Sequence, residues 1–217
     1  LQELSFFKYL SNSFFVVSMN LIGTILSAAL IGFGFAMFEF KGKKILFTLM
    51  LATLMMPSQV TMIPTYFIWS KLNFLDTYIP LIVPSFLGSA TGIFLFNQNY
   101  KSIPIVLYES AVIDGCSPPG ILFKIYFPLS KPTMMTLVIL TFIGAWNNTM
   151  GPLLYLQTKS KYTLTLGLLT LNSSPIAGAN MGIKMAGAFI TMAPVILVFL
   201  FVQKYFVQGN ITAGVKG

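Results

Sequence analysis

The sequence has no histidine, no arginine and a single cysteine, Cys116, among 217 residues. Without histidine, and with only five acidic residues, the chain lacks most of the ligand sets that bind transition metals. One cysteine excludes a disulfide within the chain, and its thiol has no histidine to activate it. The chain also lacks a glycine-rich phosphate-binding loop ending in Lys-Ser or Lys-Thr. We therefore expect no metal and no cofactor, and any ATP hydrolysis must come from another chain.

Charge is scarce as well. Charged residues make up 8% of the chain and hydrophobic residues 56%, whereas a soluble domain carries about 25% charged residues. The composition thus indicates an integral membrane protein. The net charge of +8 comes from lysine alone. In a membrane protein such an excess indicates topology and contact with anionic lipids in the bilayer, so we expect no nucleic acid partner.

Five stretches meet the requirement of roughly 20 mostly apolar residues for a membrane-spanning helix. They cover residues 14–38, 45–69, 78–96, 133–156 and 181–206. Prolines within the second and third stretches predict kinks, because proline removes a backbone hydrogen bond. The sequence therefore predicts an all-α integral membrane protein, a single domain over residues 1–217 with five visible transmembrane helices.

The lysines predict how the chain is oriented. Eight lie in the connections and tail on one side: Lys41, Lys43, Lys44, Lys101, Lys124, Lys131, Lys204 and Lys216. Five lie on the other side: Lys8, Lys71, Lys159, Lys161 and Lys184. The positive-inside rule then makes connection 101–132 and the C-terminus cytoplasmic, with the N-terminus outside. In the outer connection 157–180, residues 162–166 alternate as in a strand. This connection either contacts a partner outside or is an ordinary solvated loop.

The connection 101–132 suits neither the bilayer nor water. It contains Glu109 and Asp114, and an acid at the centre of a spanning helix costs about 2.5–3.5 kcal/mol. Its apolar runs at 105–108 and 121–123 are equally unsuited to a solvated loop. We interpret the connection as a segment docked against another protein. The two acids lack an accompanying nucleophile or metal-ligand cluster, so an acid–base pair is unsupported, while simple interfacial acids remain the alternative.

Local signals divide this connection into two short helices. Pro104 predicts the start of the first, which would be about ten residues and about 15 Å long. Asp114-Gly115 predicts the turn that ends it. Ser117 followed by Pro118 predicts an N-cap and the start of the second helix. The prolines at Phe127-Pro128 and Lys131-Pro132 predict where the second helix stops, before the fourth span.

The same residues resemble a known family. Glu109-Ser110-Ala111, then Gly115, then nine residues, then Ile125-Tyr126-Phe127-Pro128, match the EAA–G–I-x-L-P loop of ABC-importer permeases. Ser110 replaces the usual Ala and Phe127 the usual Leu. The branch that it resembles is carbohydrate uptake, the maltose- and glycerophosphate-type permeases. Similar segments occur elsewhere at Asn12-Ser13, 142–147, Gly151-Pro152-Leu153, Tyr162-Thr163-Leu164, 203–207 and 212–217.

The resemblance implies a family core of six spans, with the first missing from this chain. It implies that loop 101–132 forms a cytoplasmic pair of coupling helices docked on an ATPase subunit. Glu109 would pair with a basic group there, and Gly115 would allow the tight turn. The implied coupling residues are Glu109, Ser110, Ala111, Asp114, Gly115, Ile125 and Pro128. The implied partners are a second permease subunit forming a heterodimer, an ATPase dimer that binds the ATP, an extracytoplasmic solute-binding protein and a carbohydrate substrate, in a bacterial cytoplasmic membrane.

Polar residues inside predicted spans point to a transport pathway. Gln59, Trp146, Asn147 and Asn148 are candidates, since polar groups within spans tend to face a cavity or the bundle interior. The asparagines would hydrogen-bond sugar hydroxyls while Trp146 stacks on a ring; hydrogen bonds between helices are the alternative.

A different class of function is a stand-alone secondary carrier or an intramembrane enzyme. A carrier should place charges inside its spans for ion coupling, and no acid falls within a predicted span. An enzyme should show a catalytic constellation, which the sequence lacks.

Overall fold

The computed structural model describes residues 6–172 and 181–213, and the regular structure within these ranges is entirely helical. The helices are α1 (Phe6–Met37), α2 (Lys43–Ala52), α3 (Ser58–Lys71), α4 (Ile79–Phe86), α5 (Ala90–Ser102), α6 (Val106–Ile113), α7 (Pro118–Ile121), α8 (Phe127–Leu129), α9 (Lys131–Trp146), α10 (Met150–Tyr155), α11 (Leu164–Asn172) and α12 (Met181–Ala213). Short 3₁₀ turns at Thr53–Met55 and Lys159–Lys161 and a π-helical turn at Leu122–Tyr126 complete them. The predicted all-α class is confirmed.

Three helical stretches of the described chain are each long and apolar enough to cross a membrane: Phe6–Met37, Ile79–Ser102 and Met185–Lys204. Two further pairs qualify only when their halves are taken together. Lys43–Met55 and Ser58–Lys71 are bent by 102°, and Pro118–Leu129 and Lys131–Trp146 by 79°. By length and composition the chain thus has three spans, or up to five if each bent pair is one span.

Three predicted spans are interrupted. The second, 45–69, breaks before Pro57, whose backbone is extended (φ −60°, ψ 129°). Proline biases the residue before it away from helix, and Met56 is extended as well. The third, 78–96, breaks between α4, which ends at Phe86, and α5, which begins at Ala90. The predicted fourth span, 133–156, was wrong as a continuous helix, because α9 ends at Trp146 and α10 begins at Met150. Hydropathy alone did not detect this interruption, since the flanking residues are apolar.

Helix α1 is the centre of the fold and packs against α4, α5 and α9. Small residues on α1 make this possible: Ala28 and Ala29 are completely buried. At Gly32 a Cβ atom would lie 2.8 Å from the Cβ of Phe96 and 3.2 Å from the Ile93 carbonyl oxygen. The side-chain hydrogen of glycine therefore sets the distance between α1 and α5.

The outer connection differs from its predicted strand-like form. Residues 162–166 lead into α11, which begins at Leu164. The Leu164 amide donates to the Ser13 hydroxyl at 2.8 Å, and both Leu164 and Leu166 are 1% exposed. A short alternation of leucine and threonine does not distinguish a strand from a buried helix start, and packing on α1 selects the helix. Residues 173–180 of this connection lie outside the described ranges.

Candidate functional site

The first short helix of connection 101–132 forms as predicted and ends in a Schellman motif. The Cys116 amide donates to the Ala111 carbonyl at 2.9 Å, and the Gly115 amide donates to the Val112 carbonyl at 3.0 Å. Gly115 has φ +78°, a left-handed conformation that glycine adopts without the steric cost of a Cβ. Open space surrounds the position of a Gly115 Cβ. The glycine is therefore required by the backbone turn and not by crowding.

The second short helix continues from Pro118 through the π-helical turn to Leu129. It passes Phe127-Pro128, so this predicted stop was wrong, and it ends before Lys131-Pro132, the other predicted stop. Pro128 lacks an amide hydrogen, and the widened π turn before it admits proline without breaking the helix. The predicted Ser117 cap is only partly confirmed. Ser117 precedes the helix, but its side chain makes no capping hydrogen bond.

One side of α6 is exposed and carries both acids of the connection. We use the name docking surface for the exposed residues Ile105, Val106, Glu109, Val112, Ile113 and Asp114. Ile113 is 86% exposed and Val106 61%. Within the described chain, neither the Glu109 nor the Asp114 carboxylate forms a salt bridge. Apolar side chains and unpaired acids on one exposed helix face are typical of a surface that another protein covers.

The other predicted coupling residues form two groups, one exposed to solvent and one buried or partly buried. Ser110, Gly115 and Pro128 are exposed, like the two acids. Ala111 is 5% exposed, and Ile125 is partly buried; both pack within the core of this chain. The small side chain of Ala111 therefore lets α6 lie close to the rest of the same chain.

Aromatic rings connect α6 to the spanning helices. We call Phe33, Phe96, Tyr100, Tyr108 and Tyr126 the aromatic cluster. The Phe33 ring of α1 lies 5.4 Å from that of Tyr126 and 6.3 Å from that of Tyr108, centroid to centroid. Tyr126 also contacts Tyr100 at 5.6 Å. The rings thus pack α6 against α1, and through Tyr126 against α5, and close-packed rings cannot be displaced independently.

The predicted pathway asparagines lie at the break between α9 and α10. The Asn147 side-chain nitrogen donates to the Ile143 carbonyl at 3.0 Å. The Asn148 side-chain oxygen accepts from the Gly151 amide at 3.0 Å. Both side chains therefore satisfy helix ends, and both residues remain exposed. These hydrogen bonds are local, unlike the contacts between helices that were the alternative.

Trp146 occupies a different environment. It is 2% exposed, stacks on Phe142 with the ring centroids 5.5 Å apart, and donates from Nε1 to the Thr191 carbonyl at 3.0 Å. Its ring faces and its hydrogen-bond donor are thus already used inside the bundle. The position favours the alternative interpretation of Trp146, a link between α9 and α12, over stacking on a sugar.

A cavity of about 220 Å³ adjoins the break. Its polar lining comes from Asn20, Thr141, Asn148 and Thr163, and the remaining lining residues are apolar or glycine: Val16, Leu81, Gly144, Ala145 and Pro152. Among the described residues, no charged side chain lines this cavity. Such a lining can hydrogen-bond a neutral polar solute. Gln59 lies elsewhere, exposed in the first turn of α3.

Metal binding finds no support in residues 6–172 and 181–213, where no group of three or more histidine, cysteine, aspartate or glutamate residues is arranged to hold an ion.

Sequence reasoning missed Asp76, which anchors the opposite end of the molecule. Its carboxylate accepts hydrogen bonds from the Gln157 amide at 3.0 Å and from the Thr158 amide at 2.9 Å. The Lys161 ammonium lies 2.8 Å from the same carboxylate. We call Asp76, Thr158 and Lys161 the outer clamp. Asp76 and Lys161 fall on the same predicted side of the membrane, so the predicted topology is consistent with their contact. The 85 residues between them leave no local sequence pattern from which the contact could be predicted.

The outer clamp should make stability depend on pH. Hydrogen bonds from Lys161 and Thr158 hold the pKa of Asp76 well below its ordinary value of 3.8. A lowered pKa stabilises the fold above the unfolded-state pKa, and this stabilisation is lost as pH falls below about 4. We expect Asp76→Asn to lower stability by about 1–3 kcal/mol at neutral pH, since it removes hydrogen bonds to a charged group. Thermal unfolding of the purified chain measures this.

Asp114→Asn is the matched control, because Asp114 is an exposed acid without a salt bridge in the described structure. It should unfold like the unsubstituted protein at neutral pH. The advantage of the unsubstituted protein over Asp76→Asn should shrink in acid. An advantage of constant size from neutral to strongly acidic pH would contradict the proposed linkage.

Comparison with known proteins gives the family. The family model for the binding-protein-dependent transport system inner membrane component matches residues 10–211. The arabinooligosaccharides transport system permease protein AraQ of Bacillus subtilis (strain 168) is 37% identical over 212 residues, which is 98% of this chain and 74% of that protein. The sn-glycerol-3-phosphate transport system permease protein UgpE of Pectobacterium atrosepticum is 34% identical over 200 residues, covering 92% of this chain and 71% of that protein.

A solved structure agrees with these relatives. The crystal structure of a bacterial ABC transporter involved in the import of the acidic polysaccharide alginate matches with a TM-score of 0.80 and 25% identity, covering 93% of this chain and 75% of the other. The predicted resemblance to ABC-importer permeases is confirmed. With an exposed docking surface joined to its spans and a family match over most of its length, the chain belongs to the inner membrane components of binding-protein-dependent transport systems.

Proposed function

We propose that this chain is one permease subunit of an ATP-driven importer of a neutral sugar or oligosaccharide. The docking surface carries the proposal: an exposed apolar and acidic helix face, anchored from within by Ala111 and Tyr108. On this proposal the surface seats a cytoplasmic ATPase subunit, with Glu109 paired to a basic group. A second permease, an ATPase dimer and an extracytoplasmic solute-binding protein complete the transporter.

The cavity supports a neutral substrate. Its lining offers the Asn20 side-chain oxygen, the Asn148 side-chain nitrogen and the hydroxyls of Thr141 and Thr163. The Asn20 nitrogen already donates to the Val16 and Leu81 carbonyls, and the Asn148 oxygen accepts from the Gly151 amide. An anionic solute such as a glycerophosphate would need a cation to offset its desolvation, and none lines this cavity. Hydroxyl groups of a sugar match amide and threonine partners, so we favour the substrate class of the arabinooligosaccharide relative over that of the glycerophosphate relative.

Reconstitution tests the proposal. Proteoliposomes containing this chain, its partner permease and the ATPase should take up labelled oligosaccharide only when ATP and the binding protein are both supplied. Uptake by the chain without ATP, driven by an ion gradient, would instead identify a secondary carrier. Uptake of glycerol-3-phosphate in preference to oligosaccharide would overturn the substrate class while leaving the permease assignment in place.

A substitution that fills the cavity tests whether the cavity lies on the transport route. Gly144 lines it, and a Cβ built there meets no atom within 4 Å. We expect Gly144→Leu to reduce oligosaccharide uptake strongly, because the new side chain occupies the cavity without disturbing the helix packing. Gly34→Leu is the matched control, since Gly34 is also helical, also has open space at its Cβ and does not line the cavity. Equal uptake by the two variants would remove the cavity from the transport route.

A further inference from the structure

A second, basic pocket lies at the opposite end of α1 from the outer clamp. It has a volume of about 600 Å³ and forms where the chain turns from α1 into α2. Lys43 and Lys44 come from the start of α2, and Lys101 comes from the end of α5. Three lysines against one acid, Glu39, leave the pocket with two excess positive charges.

The three lysines are not equivalent. Lys43 binds Glu39 at 2.7 Å and the Phe38 carbonyl at 2.8 Å, so its ammonium is already used. Lys44 and Lys101 are exposed and form no salt bridge in the described structure. The pKa of Glu39 is lowered chiefly by its hydrogen bond to Lys43, with smaller effects of Lys101 and Lys44. The Lys44 and Lys101 ammonium groups therefore both lie close enough to the Glu39 carboxylate to interact with it electrostatically.

Apolar side chains continue from this charged end. Phe40 is 42% exposed and Ile45 is 67% exposed, and both line the pocket. Leu49, one helical turn beyond Ile45, is 59% exposed. Helix α2 contains no buried residue in the described structure. A soluble anion would use the lysines alone, whereas a ligand with a charged head and an apolar tail uses the whole surface.

We propose that this pocket binds the headgroup of an anionic phospholipid, with its phosphate between Lys44 and Lys101 and its acyl chains along Ile45 and Leu49. The site joins α2 to the end of α5. Because α5 leads directly into the connection that carries the docking surface, the lipid holds the position where that connection leaves the membrane. This assignment depends on the membrane location of the chain and not on the sugar or the ATPase.

Native mass spectrometry of the full chain, purified in mixed micelles of detergent with phosphatidylglycerol and phosphatidylcholine, tests the site. The double substitution Lys44→Gln/Lys101→Gln should weaken phosphatidylglycerol retention roughly thirtyfold, if each lysine contributes as on a charged membrane surface. Retention of phosphatidylcholine should not change. The matched control is Lys8→Gln/Lys159→Gln, which removes the same charge from exposed lysines. Lys8 lies near the far end of α1, whose 32 residues span about 48 Å.

Three results would overturn the proposal. The first is equal loss of phosphatidylglycerol from the test and control variants, which would indicate a general charge effect. The second is displacement of the lipid by millimolar inorganic phosphate, which would indicate a site for a soluble anion. The third is unchanged lipid retention together with loss of ATPase subunits from the complete transporter, which would make the lysines a protein contact.

Discussion

Reversing the charge of Glu109 to lysine is expected to release the ATPase subunits and to reduce ATP-driven uptake to background. The Glu109 carboxylate is exposed at the centre of the docking surface and has no salt bridge within the described chain. On the proposed function its partner is a cation on the ATPase. Lysine would face that cation with a like charge, and truncating or reversing one member of an interfacial charge pair costs about 2–5 kcal/mol. Co-purification of the ATPase with the permease measures the loss.

The control for this result is charge reversal at the other end of the molecule. Lys159→Glu alters an exposed residue of the outer connection and should leave ATPase co-purification unchanged. Thermal unfolding of the purified Glu109→Lys chain should match that of the unsubstituted chain, because the Glu109 side chain is exposed and forms no salt bridge within the described residues. If Glu109→Lys kept its ATPase and its uptake, α6 would not be the coupling element.

Substitutions in the aromatic cluster test whether ATPase docking and transport can be lost separately, with the same co-purification and uptake measurements. Tyr126 is completely buried, and its hydroxyl has no hydrogen-bond partner among the described residues. Tyr126→Ala removes the ring contacts with Phe33 and Tyr100, so uptake should fall while the ATPase still co-purifies. Tyr126→Phe keeps the ring and should retain uptake. Loss of uptake in both variants would mean that the hydroxyl, and not ring packing, matters.

Gly32→Val is expected to destabilise the chain by about 1–3 kcal/mol, the usual cost of overpacking a well-packed core. A Cβ at Gly32 would lie 2.8 Å from the Phe96 Cβ, 3.2 Å from the Ile93 carbonyl oxygen and 3.3 Å from the Asn97 amide nitrogen. These atoms belong to the α5 backbone or are fixed to it, so no side-chain rotation relieves the contact. Helices α1 and α5 must separate, and the midpoint of thermal unfolding in detergent should fall.

Gly34→Val provides the comparison two residues along the same helix. A Cβ at Gly34 meets no atom within 4 Å, while the change in helix propensity is the same at both positions. The difference between the two variants therefore isolates the contact between α1 and α5. Equal unfolding midpoints would show that the helices tolerate a wider spacing.

Much of the fold followed from local chemistry. The scarcity of charge predicted a membrane protein. Apolar runs located the end of α1 within one residue and the start of α12 at the same residue, although α1 begins eight residues before the predicted span and α12 ends seven residues after it. The turn at Gly115 was predictable because an aspartate–glycine pair at the end of a helical run favours a left-handed residue. The interruption after Trp146 was not, because apolar residues flank Asn147 and Asn148 on both sides and the hydropathy signal continues through them.

The sequence by itself determined that the chain is a helical membrane protein with a short acidic helix between spans, and its motif spacing identified the family. These features depend on composition and on interactions between residues a few positions apart. Only the tertiary structure decided that Ala111 faces inward, that Trp146 is used within the bundle, and that Asp76 binds Lys161. Each of these depends on which helix faces are brought together, and side-chain packing between distant segments leaves no periodic trace in one sequence.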